Sequence, residues 1–308
     1  MIICCGEALI DMIPSTTDDG RNCFTPHAGG AVFNTAIALG RLGQETGFVT
    51  GLSQDLFGMQ LSEALVESGV DCSHVIRSPL PTTLAFVQLT NGQARYTFYD
   101  ENTAGRSLTP DRLPDLPDAA AALYFGGISL ISEPCAEFYA ALAEREAPRR
   151  LIMIDPNIRA AFVKDAARYR ARLDRMVAVS DIVKVSDEDL DWIVPDAAGL
   201  EDKARRLCAA GPHVVIVTRG SEGASAILAN GPVVKVPAEP VTVVDTVGAG
   251  DTFNAGVLSK LAEDGLLSKS KRSEIDPAAV TRALAHGARV AAVTVARAGA
   301  NPPWAHEL

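Results

Sequence analysis

Asp245-Thr246-Val247-Gly248-Ala249-Gly250-Asp251-Thr252-Phe253-Asn254-Ala255-Gly256 sets the reading of the whole 308-residue chain. Before it, the β-branched Val241, Val243 and Val244 predict a short strand. After it, Phe253, Val257 and Leu261 recur every four residues, which predicts an amphipathic helix running to about Gly265. A small-residue turn that opens a helix leaves the first backbone N–H groups without intrahelical partners, at the positive end of the helix dipole. Gly248, Ala249 and Gly250 carry almost no side chain, so a phosphate can approach those amides closely. Asp251 then places a carboxylate beside the anion site, an arrangement suited to handling a proton. An ordinary helix start, with Asp as a cap and Gly in the turn, is the plain structural alternative.

The segments on either side alternate between apolar runs and helical patterns. Ile2 to Cys5, Phe48 to Thr50, Leu123 to Gly126, Leu151 to Ile154, Ile182 to Val185 and Val214 to Thr218 are expected strands. Helices are expected over 33–43, 56–68, 133–145, 165–178, 187–193, 200–210 and 277–295. Repeated strand–helix units imply a mostly parallel sheet between helical layers. Ala224 to Leu228 and Val233 to Val236, joined by Asn230-Gly231, form an expected antiparallel pair. Residues 14–27 are polar and contain Gly and Pro, which predicts a loop or an irregular lid strand. Leu84 to Leu89 and Ala94 to Tyr99 flank Asn91-Gly92, a strong hairpin signal. The first of these strands is apolar on both faces and calls for cover on each: one by a substrate cleft, the other by a partner subunit.

A formal net charge of −10 argues against a nucleic-acid or anionic-membrane partner. Six cysteines without C-x-x-C spacing and five histidines without a close pair suggest neither a zinc site nor a disulfide framework. No run approaches the length of a membrane span, and Glu7 and Asp11 interrupt the N-terminal apolar stretch. A cytoplasmic protein with reduced thiols is the expectation.

In open α/β sheets ligands collect at the carboxyl ends of strands. Asp11, Asp155 to Asn157, Lys184 to Asp189 and Thr218 to Gly223 all follow expected strands, and Gly29-Gly30 with Asn34 forms a second glycine turn before a helix. The motif around Gly248, together with Gly6-Glu7-Ala8-Leu9-Ile10-Asp11-Met12 and Gly29-Gly30, resembles the ribokinase-like (PfkB) carbohydrate kinases over essentially the whole chain. The segment Asp155-Pro156-Asn157-Ile158-Arg159 is most similar to the fructokinase and 2-keto-3-deoxygluconate kinase branches. A departure is Val32, where many members carry Pro or a small residue.

The resemblance implies one domain over residues 1–308, a three-layer α/β/α ribokinase-like fold with a small β-hairpin lid made of segments 12–27 and 82–105. It implies ATP-dependent phosphorylation of a sugar hydroxyl. Asp251 would be the base, the Gly248, Ala249, Gly250 and Asp251 backbone the anion hole, and Arg159 a phosphate contact. Asp11, Gly29, Gly30, Asn34 and Asn157 would hold the sugar. Lys184, Ser186, Asp189, Thr218, Gly220, Gly223 and Asn254 would border the nucleotide, with Asp189 placing magnesium through water. Asp245 and the segment Gly299-Ala300-Asn301 would lie by a monovalent cation such as potassium and by the adenine.

Few cations flank the acceptor side, where Arg21 and Arg95 lie near Asp100 and Glu101, which favours a neutral sugar. Fructose is the first expectation, 2-keto-3-deoxygluconate the second, and a nucleoside a further one. A dinucleotide-dependent oxidoreductase fits poorly, because the third glycine position is Asn254. A Walker lysine motif is absent. A non-catalytic sugar or nucleotide sensor is disfavoured by the intact Asp251. A homodimer through the lid hairpin completes the expectations.

Overall fold

The computed structural model describes residues 1–90, 93–196, 198–229 and 231–308. The first part of the chain runs β1 (Ile2–Cys5), β2 (Leu9–Thr16), β3 (Asn22–Gly29), α1 (Ala31–Arg41), β4 (Thr46–Val49), β5 (Gly51–Ser53) and α2 (Leu56–Glu67). Then come β6 (Val70–Asp71), β7 (Ile76–Ser78), β8 (Leu84–Thr90) and β9 (Gln93–Tyr99). The alternating part continues with β10 (Ala122–Gly126), α3 (Cys135–Glu146), β11 (Leu151–Asp155), α4 (Ala166–Val179), β12 (Ile182–Ser186), α5 (Asp187–Ile193) and α6 (Leu200–Ala209). It closes with β13 (Val214–Thr218), β14 (Ala224–Leu228), β15 (Val233–Val236), α7 (Ala249–Glu263) and α8 (Pro277–Val295).

Nine strands form the main sheet in the order β15-β14-β13-β12-β11-β10-β1-β4-β6. The strands from β13 to β6 pair in parallel, and β14 and β15 are antiparallel additions at one edge. Parallel strands covered on both faces read as unbroken apolar runs, and β1 shows why. Ile2 and Cys4 enter one core beside α1, α7 and α8, whereas Ile3 and Cys5 enter the other beside α3, α4 and α6. The three-layer α/β/α expectation holds.

A second sheet has the order β3-β2-β8-β9 and caps the carboxyl ends of the main strands. Of the loop or irregular lid strand expected over residues 14–27, the strand forms, and as a regular ladder of β2 with β3. The polar and proline residues there fit because Pro26 lies on the edge strand and Pro14 lies beyond the stretch of β2 paired with β8. Those are positions where a missing N–H is tolerated. The register places Asp11 beside Ala85, and Ala85 beside Phe98, on one rung and one face. The opposite face carries an edge-to-face aromatic row, Phe24–Phe86–Tyr99, with ring centroids 5.1 and 5.4 Å apart. The Asn91-Gly92 turn, the side chains of Leu89 and Arg95, and Asn230 lie outside the described residues.

A correction concerns Val241, Val243 and Val244. They form no strand and are 39%, 56% and 63% exposed. Their β propensity finds no ladder; the N–H groups of Val244 and Asp245 instead share the Val295 carbonyl at the end of α8.

Candidate active site

The N-termini of α1 and α7 meet over the carboxyl ends of β1, β10, β11 and β12, around a cavity of about 360 Å³. Gly248 caps α7 in the left-handed conformation (φ 78°). A side chain at this position would be strained, and a Cβ would lie 2.7 Å from that of Ala300. Thr252 N–H returns to Gly248 O at 2.9 Å, and Ala249 N–H reaches Thr246 O at 3.3 Å. The amides of Gly250 and Asp251 meet no acceptor among the described residues and border the cavity, the geometry of an anion site.

Asp251 lies on the cavity floor at 8% exposure. Asn34, one turn into α1, donates from Nδ2 to Asp251 Oδ2 at 2.9 Å, and Thr35 Oγ1 donates to the Asp251 carbonyl at 3.1 Å. The helix dipole alone predicts a firmly ionised carboxylate. Burial outweighs it: loss of solvent pushes the Asp251 carboxyl up to about 7, with Asp155 adding to the rise and Asn34 and Lys184 opposing it. The folded chain therefore holds this proton between the ordinary 3.8 and about 7, and the stability it contributes is lost as pH rises through that window. Asp251→Asn is expected to melt above the parent protein at pH 8, with the gap narrowing at pH 5. Melting curves at the two values check this.

Opposite the anion turn, Asp11 faces the cavity from β2, and burial raises its carboxyl to about 6. Gly29 leaves the room that the Asp11 carboxylate occupies, and Gly30 (φ 110°) lets the start of α1 pass close to the Glu7 backbone. Glu7 was not singled out by the motif reading, although it ties the site together. Its Oε1 accepts from Ala31 N–H at 3.0 Å and its Oε2 from Ser129 N–H at 3.2 Å, joining the start of α1 to the helical turn after β10. Tyr96 and Phe98 also line the cavity, and Phe98 packs edge-to-face on Phe162 at 4.8 Å. Their period-two spacing on β9 was visible; which face they share depends on strand register. Asn157 (φ 43°) and the exposed Arg159 complete the rim. A larger cavity of about 910 Å³ adjoins across Phe98 and Phe162, but Asp251 and the anion turn do not line it. The smaller cavity holds the reactive groups.

Lys184 reaches this cavity from β12. The other nucleotide-side residues stand behind its wall or further off. Ser186 caps α5 by accepting from Asp189 N–H at 3.0 Å, while the Asp189 carboxylate accepts from Ser186 N–H and, at 2.9 Å, from Ile158 N–H. Thr218, Gly220 and Gly223 form the tight exit of β13, where a Gly223 side chain would strike the Val236 carbonyl. Asn254 is fully buried beneath the turn. Asp245 accepts from Val247 N–H at 3.0 Å and Gly299 N–H at 2.9 Å, fastening the motif to the C-terminal segment.

A family model described as pfkB family carbohydrate kinase matches residues 1–307. The chain belongs to this family. This pfkB kinase is 54% identical over 284 residues to a fructokinase of Rhizobium leguminosarum bv. trifolii, covering 91% of the chain and 85% of that protein. It is 34% identical over 265 residues to a fructokinase of Klebsiella pneumoniae, covering 85% and 84%. A fructokinase structure from Xylella fastidiosa matches with a TM-score of 0.89 at 28% identity, covering 99% of this chain and 96% of that one. The same organism's fructokinase with bound ATP gives 0.87 at 28%, covering 97% and 93%. The pfkB kinase is a carbohydrate kinase, that is, a phosphotransferase. Among its described residues no helix is long and apolar enough to cross a membrane.

Proposed function

We propose that this kinase transfers the γ-phosphoryl group of ATP to a hydroxyl of free fructose. The observation carrying the reading is a buried carboxylate, Asp251, set beside two amides that meet no acceptor among the described residues, in a cavity whose far wall offers Asp11 and Asn157 to sugar hydroxyls. The relative at 54% identity, named a fructokinase, supports the choice of sugar.

In this reading the fructose hydroxyl oxygen bonds to the γ-phosphorus as the bond to the ADP oxygen breaks, and the hydroxyl proton passes to Asp251. Positioning and charge neutralisation supply most of the acceleration in such a transfer. The amides of Gly250 and Asp251, with Lys184 and Arg159, face the phosphoryl oxygens. Gly30 and Asn34 set the sugar's height above Asp251. Among the described residues no cluster of three or more His, Cys, Asp or Glu forms a metal cage. That fits magnesium held mainly by the phosphates of ATP and water, with Asp189 as an outer support. When bound, magnesium neutralises phosphate charge. A potassium ion beside Asp245 belongs to the same proposal, and turnover in potassium against tetramethylammonium tests it.

Residues 1–308 act as one domain in this reading, with the second sheet as a lid that excludes water. Since the base must be ionised, kcat/KM is expected to rise with pH along a limb near 7. The substrate is tested by ranking fructose, other free sugars, 2-keto-3-deoxygluconate and nucleosides by kcat/KM in an ADP-release assay. Fructose should lead; a sugar acid or nucleoside ahead of it would replace this reading. The row Phe24–Phe86–Tyr99, exposed at Phe24 and Tyr99 and half-buried at Phe86, supports a homodimer through the outer lid face, since apolar patches of this kind mark interfaces. Light scattering should give a dimer mass for the parent and a monomer mass for Phe86→Glu.

A further inference from the structure

Under the anion turn lies a buried polar cluster drawn from four elements. Lys184 Nζ on β12 donates to Asp155 Oδ2, at the end of β11, over 2.9 Å. Asn254 Nδ2 on α7 reaches the same oxygen at 2.7 Å and Tyr124 Oη on β10 at 3.0 Å. Asp155 Oδ1 accepts from Asn157 N–H at 3.2 Å. Asp155 is 1% exposed and Lys184 5%. A buried ion pair is a poor way to stabilise a fold, because desolvation offsets much of its attraction. Its placement suggests a use in the reaction instead.

The two partners differ in how fully they are engaged. Asp155 receives three donors on its two oxygens. An ammonium has three N–H donors, and among the described residues Lys184 commits one of them, to Asp155. Its Nζ borders the reactive cavity, and a methyl group on Gly250 would lie 3.3 Å from it. The lysine thus has Asp155 behind it and the anion turn in front. A lysine stem is flexible and its ammonium acts as a point charge, so where it points depends on what pins it.

Resting on the kinase reading above, we propose that Asp155 is a positioning residue for phosphoryl transfer. Clamped by Asn254 and by the Asn157 amide, it fixes Lys184 Nζ against the anion turn, where the ammonium meets the transferring phosphoryl group. Preorganised charge of this kind acts on the transition state more than on sugar binding. Asp251 reports the same pair. Asp155, Lys184 and Glu7 face its carboxylate together with the Asn34 amide, and the Tyr96 and Tyr124 hydroxyls lie in its field.

A double-mutant cycle on the full-length enzyme tests the assignment. Lys184→Met is expected to lower kcat about 100-fold and Asp155→Asn about 10- to 100-fold, each leaving the KM for fructose within about threefold. The variant carrying both should turn over no more slowly than Lys184→Met alone, because Asp155 acts through the lysine. The acid limb of kcat/KM should move to lower pH in Asp155→Asn and to higher pH in Lys184→Met. Asn254→Ala, which loosens the clamp without changing charge, should lower kcat by a smaller factor.

If Asp155→Asn costs the same factor with and without Lys184, Asp155 has a role of its own and the proposal fails. If both limbs move the same way, it also fails. Should Asp155→Asn not fold around its unpaired lysine, the charge-neutral double variant decides: turnover equal to Lys184→Met supports the proposal, and clearly lower turnover contradicts it. A parent enzyme without fructose-dependent ADP release would instead overturn the fructose-phosphorylation reading on which this one rests.

Discussion

Asp251→Asn lowers kcat for fructose phosphorylation by about 10²- to 10⁴-fold, the range lost with a general base, and leaves ATP affinity within about threefold. Asparagine keeps the shape of the side chain and can still meet Asn34 across the 2.9 Å contact that orients the aspartate. The backbone amides of Gly250 and residue 251 remain where α7 holds them. What disappears is a group able to take the hydroxyl proton. Coupled ADP release gives kcat, and titration calorimetry with a non-hydrolysable ATP analogue gives the affinity. Turnover near that of the parent would show that the proton leaves by another route.

Gly248→Ala strikes the other half of the chemistry. The left-handed φ of 78° disfavours any side chain, and the new methyl would lie 2.7 Å from Ala300 Cβ, inside normal contact. The turn must then move, carrying the Gly250 and Asp251 amides away from the phosphoryl position. Loss of one such donor elsewhere lowers turnover about 10²- to 10³-fold, and the same range is expected here. Gly265, at the other end of α7, has φ 68° and open space around it. Gly265→Ala therefore isolates backbone strain, about 1 kcal/mol, without touching the site. A fall in kcat confined to Gly248→Ala, with both variants folded by circular dichroism, identifies the turn itself; equal falls in both would point to general destabilisation.

The parts legible in the sequence were those set by local chemistry or by complete burial. The strands β1, β10 and β11 announce themselves because both faces of each are covered, so apolar residues run without a break over Ile2–Cys5, Ala122–Gly126 and Leu151–Ile154. The helix α8 is bounded by Asp276, whose side chain accepts from Ala279 N–H, and by Pro277 in the first turn, a start signal written in two residues. Gly248 to Asp251 read correctly as a helix opening for the same reason.

What escaped depends on partners distant in the chain. Val241 to Val244 have strand propensity and no strand beside them. The strands β2 and β3 lacked an apolar pattern, yet pairing with each other and with β8 makes them regular. Tyr96 and Phe98 gain meaning only through the register that sets Phe98 beside Ala85 and, through it, Asp11. The proton affinity of Asp251 is not legible locally, because the helix dipole acts within the motif whereas the burial that overrides it comes from the whole fold. Asp155 and Lys184 stand 29 positions apart, and their pairing exists only once β11 and β12 lie side by side.

A crystal structure with fructose and a non-hydrolysable ATP analogue bound together probes the proposed chemistry most directly. The terminal phosphate oxygens should lie about 3 Å from the Gly250 and Asp251 amide nitrogens, with one fructose hydroxyl within hydrogen-bonding distance of the Asp251 carboxylate. A triphosphate tail bound away from the Gly248 turn, or a sugar with no hydroxyl near Asp251, would contradict it.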